Sequence, residues 1–120
     1  MAQFRLKPKE MNIRVLSAPG VTWKVVPMTA SEDQELAKKF QEYDTRSKGY
    51  IISDDMGLLK ARAIQVIRGF CGLPGEDGEI EYSTVNLEAL CEMHTQVIAD
   101  VLNESRRADA LVVEATEKNS

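Results

Sequence analysis

The sequence predicts an α+β fold, mostly α, in which an N-terminal β-hairpin packs on about three helices and a glycine-rich corner separates the last two. Three observations lead there. Met11, Ile13 and Val15, then Val21, Trp23 and Val25, alternate with other residues on either side of Ser17-Ala18-Pro19-Gly20, which is the period of half-buried strands. Leu59, Ala63, Val66, Ile67 and Phe70 recur at the three-four spacing of a buried helical face, as do Leu87, Leu90, Cys91, His94, Val97, Ile98, Val101 and Leu102. Between these two stripes Gly69, Gly72, Pro74, Gly75 and Gly78 break any continuous helix.

Each element has a local reason. Pro19-Gly20 suits the two central positions of a type II turn, because only the second needs positive φ. A lone hairpin is marginal in water, so residues 11–26 need helices or a partner on one face. The next helix starts near Thr29. Thr29 with Glu32, or Ser31 with Gln34, fits a reciprocal capping box, and Leu36, Phe40 and Tyr43 form its apolar stripe. Asp44 to Gly49 reads as a polar loop, after which Tyr50, Ile51 and Ile52 return to the core and Ser53 caps a helix through Cys71. Asp77-Gly78 is a turn dipeptide, Ile80 and Tyr82 alternate with glutamates as in a short strand, and Ser83 or Thr84 caps the last helix. That helix can continue past Arg107, with Ala108, Val112 and Ala115 on a thinner face.

Bulk properties bound the function. A chain of 120 residues with 43% apolar residues is most simply one domain with its own core, residues 1–10 and 116–120 being expected as mobile ends. The formal net charge of -4 argues against a protein that neutralises a nucleic-acid backbone. No apolar run reaches bilayer length and the start lacks a signal-peptide apolar region, so no membrane partner is expected. Cys71 and Cys91 are expected as buried thiols of a cytoplasmic protein.

Candidate chemistry is sparse. The segment from Asp44 has the frame of an EF-hand, with Asp44 first, Gly49 sixth, Ile51 eighth and Asp55 twelfth, but Arg46 and Lys48 stand where calcium needs oxygen ligands. The second such segment starts on Leu73 and ends without an acid. A metal-free EF-like module that docks an amphipathic peptide is the alternative function. Cys91 and His94 could touch a metal or act as nucleophile and base, yet a structural zinc wants a fourth ligand and His94 lies in the apolar stripe of a core histidine. GLPGEDG lacks the lysine and hydroxyl residue of a phosphate loop. No catalytic constellation emerges, and no cofactor or metal is expected. Phe70, Leu73, Gly78, Ile80, Tyr82 and Leu87 are the expected structural corner. Trp23 is either a core anchor or an interface anchor, and Leu111 and Val112 complete the candidate partner-binding set.

The stretch VIRGFCGLPGEDGEIEYSTVNLEAL resembles the tail assembly chaperones of long-tailed bacteriophages and prophages. In it a helix ends in Gly-aromatic, a Gly/Asp turn follows, and I-x-Y-S leads into Asn86-Leu87. GVTWKVVP before an acidic helix and the EKNS ending agree more loosely, and Phe70 stands where many members have Trp. The resemblance implies a small, mostly helical, non-enzymatic protein of the host bacterial cytoplasm. Its partners would be the tape-measure protein and the tail-tube subunits recruited around it. It also implies two translation products, and Glu117-Lys118-Asn119 can be written GAA-AAA-AAC, a slip site for the longer one. A gene with AAG at Lys118 excludes that site.

Overall fold

The computed structural model describes residues 6–118, with side-chain environments through Ala108. Strands β1 (Met11–Ile13) and β2 (Thr22–Val25) pair antiparallel, Ile13 opposite Trp23 and Met11 opposite Val25. The turn feeding β2 is closed by Val21 N–H donating to Ala18 O at 3.3 Å, with Gly20 at φ 83°. These are the features expected of Pro-Gly in a type II turn.

Helix α1 (Ala30–Lys38) opens with the capping box: Glu32 N–H donates to Thr29 Oγ1 at 3.2 Å and Thr29 N–H donates to Glu32 Oε1 at 3.1 Å. These bonds satisfy donors that the first helical turn leaves unpaired, and they hold the Glu32 carboxyl below its usual pKa. The expected loop is instead a hairpin of β3 (Gln41–Asp44) and β4 (Gly49–Ile52). Asp44 organises its turn, accepting from the backbone N–H of Arg46 and Ser47 and from Ser47 Oγ at 2.8 Å, while Lys48 takes φ 53°. This hairpin corrects two expectations. Tyr43, Tyr50 and Ile51 do not join the core but are 54%, 71% and 47% exposed. The EF-hand frame is likewise replaced, since an extended ladder lies where a helix would enter the loop.

Helix α2 (Asp55–Val66) is capped by Asp54, whose carboxylate accepts from Gly57 N–H at 2.9 Å. Ser53, the expected cap, instead bonds Phe40 O through both its N–H and its hydroxyl. The helix stops at Val66, and β5 (Ile67–Cys71) pairs with the free edge of β2. Ile67 and Phe70 therefore belong to a strand rather than to the end of a helix. The sheet order is β1-β2-β5, with a register shift between Lys24 and Val25. β2 is the central strand, so its alternating Trp23 and Val25 are fully buried.

At the corner, β6 (Pro74–Gly75) and β7 (Gly78–Glu79) make a minimal hairpin. The strand expected through Tyr82 ends at Glu79, and Ile80 instead ties back by donating N–H to Leu73 O at 2.8 Å. Helix α3 (Thr84–Met93) starts on Ser83, whose Oγ accepts from Asn86 N–H at 3.0 Å. The last stripe is not one helix. His94 leaves helical geometry at φ -135° and ψ 54°, and α4 (Thr95–Lys118) begins beyond it. The described residues thus form four helices with small antiparallel sheets, a mixed α+β protein. The stripe survives the break: Leu87, Cys91, Ile98 and Val101 are all buried against Val21, Trp23, Ala63 and Ile67. No helix among the described residues is long and apolar enough to cross a membrane.

One ionic node ties three helices. Arg62 of α2 grips Asp33 of α1 through two bonds, at 2.9 and 3.2 Å, and Arg106 of α4 approaches the same carboxylate at 3.6 Å. The node is partly shielded, Asp33 being 23% exposed. Asp33→Asn should therefore lower unfolding free energy by about 1–2 kcal/mol, measured by urea titration. Loss of the same size from Glu35→Gln, whose partner Lys38 is largely exposed, would contradict this.

Candidate functional site

The corner, the β1–β2 turn and the α3–α4 joint enclose a groove of about 340 Å³. Ala18 and Pro19 form one bank, Leu73 and Ile80 another, and Leu90 and Val97 the helical wall. Its construction follows from local sequence. The Ile80-to-Leu73 backbone bond folds two apolar residues toward each other. Gly72, at φ 80°, lets the backbone pass so close to the first turn that a Cβ there would lie 2.8 Å from Gly20 O. The break at His94 is supported from both sides: His94 N–H donates to Leu90 O at 2.7 Å and Thr95 Oγ1 donates to Cys91 O at 2.7 Å. A concave, mainly apolar cleft with few polar groups suits an apolar side chain or a small apolar ligand.

The expected corner residues come together in two sets. Leu73 and Ile80 face the groove. Phe70 packs its ring on Trp23 at 5.3 Å and on Tyr82 at 5.4 Å, and the Tyr82 hydroxyl donates to Ile67 O at 3.2 Å. Gly78 takes φ 126°, as its turn requires, and Leu87 is buried in the core. Trp23 lines the groove yet has no exposed surface. Its role is core anchor, and the surface-anchor reading gives way because a partner cannot reach it. The side chains of Leu111 and Val112 lie outside the described residues, as do those of Glu117 and Lys118 and the whole of Asn119 in the slip-site segment.

Burial corrects two expectations about titrating groups and agrees with a third, the buried Cys91 thiol. Cys71 is exposed rather than buried, and His94 is exposed at the helix break rather than packed in a core stripe. Cys91 is fully buried, and desolvation pushes its thiol up, with nearby Lys60 opposing the shift. A thiol held in this way offers no ready thiolate to a histidine partner. Among the described residues no three His, Cys, Asp or Glu side chains gather as a metal site.

The Cys91 shift has a definite sign in stability. The folded chain holds the proton more tightly than the unfolded one, so the contribution is full below the unfolded thiol pKa of about 8.5. It is lost as pH rises from there through the raised folded value. Between pH 8 and 10, the melting temperature of the native chain should fall more steeply than that of Cys91→Ala. Parallel slopes would show that Cys91 is not the group responsible.

Tyr43, Tyr50 and Ile51, expected on buried faces, instead form exposed apolar surface on the β3–β4 hairpin. Their signal was present in the pattern QEYD-TRSK-GYII, two short β-prone runs around a four-residue turn. Compared with protein families, characterised proteins and solved structures, the chain matches none.

Proposed function

We propose that this chain is a tail assembly chaperone of a long-tailed phage or prophage. In the bacterial cytoplasm it would hold the tape-measure protein, without enzymatic chemistry, and assist recruitment of tail-tube subunits. The observation that carries the reading is the apolar groove, because four of its lining residues, Leu73, Pro74, Ile80 and Leu90, lie within the stretch that resembles the family. A long helical client exposes apolar stripes before assembly, and a groove flanked by a helix break takes one such side chain at a time. Exposed Val85 and Met93 on α3, at 77% and 76%, add apolar surface on an element that also walls the groove. The alternative, a metal-free EF-like module, has no helix–loop–helix at residues 41–52 to support it.

Where the coding sequence immediately downstream specifies a long helical protein, as the reading requires, the test is co-expression with that protein. The native chain should raise the client's soluble yield, and Leu90→Lys, which places a charge in the groove wall, should remove that gain while circular dichroism stays native. Equal client solubility with and without the chain would refute the reading.

A further inference from the structure

The hairpin of β3 and β4 stands apart from the main sheet: among the described residues each strand pairs only with the other, and together they form a separate two-stranded sheet. Two edges are therefore open, and they differ. β3 is Gln-Glu-Tyr-Asp, carrying two carboxylates of the kind that guard an edge. β4 is Gly-Tyr-Ile-Ile, with no charge, and it displays Tyr50 and Ile51 at 71% and 47% exposure. An uncharged, β-branched open edge is a template for another strand.

The phase of the ladder shows which backbone groups that edge offers. Ser53 N–H donates to Phe40 O at 2.8 Å, and bonded pairs alternate along an antiparallel ladder. Glu42 with Ile51 and Asp44 with Gly49 are then the bonded pairs. Tyr50 and Ile52 consequently turn their N–H and C=O groups away from β3. These are two donor–acceptor sets spaced two residues apart, and they fit an identical strand run antiparallel about a two-fold axis at Ile51. Tyr50 of each copy then bonds Ile52 of the other, and the two Ile51 side chains meet on the axis.

Charge agrees with this register. Arg46 and Lys48 lie in the turn just before β4, and Asp54 and Asp55 lie just after it at the start of α2, so antiparallel alignment about Ile51 brings the cationic end of each copy toward the acidic end of the other. The cations of the turn thus meet the acids at the start of α2, twice over by symmetry. The same strand sequence is self-complementary in backbone, apolar contact and charge.

We propose that β4 is a homodimerisation edge, joining two copies of this chain into a four-stranded sheet of order β3-β4-β4-β3. The interface is isologous and uses no residue of the apolar groove, so it is independent of client binding. Sedimentation equilibrium of the full chain tests it. The native protein should show twice the chain mass. Ile51→Lys, which brings two ammonium groups together on the axis, should raise the dimer dissociation constant more than about tenfold. Lys48→Glu, which reverses the charge at the cationic end of β4, should raise it roughly fivefold. Leu16→Lys, at a fully exposed apolar residue far from β4 in sequence, should change nothing. Circular dichroism confirms that each variant is folded, and if Ile51→Lys unfolds, Lys48→Glu alone decides. A native chain that stays monomeric up to about 1 mM, or a dimer indifferent to the folded β4 variants, overturns the proposal.

Discussion

Trp23→Ala should cost about 3–5 kcal/mol of unfolding free energy, a large part of what a domain of this size possesses. The indole occupies the central strand, is fully enclosed, and packs against Phe70 with ring centroids 5.3 Å apart. Removing it opens a cavity at the meeting point of β2, β5 and the α3–α4 pair, which fixed backbone on three sides cannot collapse to fill. Trp23→Phe should recover more than half of the loss, because it restores most of the apolar volume and sheds only the indole N–H. That N–H has no hydrogen-bond partner among the described residues. Urea titration followed by circular dichroism measures both variants. A Trp23→Ala chain within about 1 kcal/mol of native would show that the sheet is not organised around this residue.

Gly72→Ala should be nearly as damaging for a different reason. The residue sits at φ 80° and its missing Cβ would lie 2.8 Å from the carbonyl oxygen of Gly20, a backbone atom that cannot rotate aside. Left-handed strain and the forced separation of the two segments together should cost about 2–3 kcal/mol. The separation also pries open the groove, so client binding should fall more than stability alone explains. Gly20→Ala is the matched control, having similar positive φ at 83° but open space around its Cβ, and it should cost about 1 kcal/mol. Equal losses would place the whole effect in backbone conformation and none in the close approach.

Local signals in the sequence were reliable where a side chain acts on its own backbone. Thr29 with Glu32, Ser83 and Pro19-Gly20 each do in the structure what their chemistry requires. The alternation through Trp23 and, His94 apart, the stripe through Val101 also mark faces turned to the core. The misses have separate causes, and the first is that a period can be read twice. Val66, Ile67 and Phe70 continue the helical spacing of Leu59 and Ala63, yet β2 has an open edge that β5 completes. Satisfying that edge outweighs one further helical turn. His94 breaks its helix without glycine or proline, since Thr95 supplies a hydroxyl to the carbonyl of Cys91. Tyr50 and Ile51 look like core residues because hydrophobicity does not say which way a hairpin faces. The groove was least legible, being assembled from residues 17–23, 73–80 and 90–98.

The chain contains a single tryptophan, and that residue is wholly removed from solvent at the centre of the sheet. Its fluorescence is therefore a private optical channel on the core: a shielded indole emits at shorter wavelength than one in water. The hairpin at residues 41–52 has tyrosines but no tryptophan, so events there leave this signal silent. Association through β4 and loss of the core can thus be followed in one cuvette, the first by light scattering and the second by emission colour, with no label added to the protein.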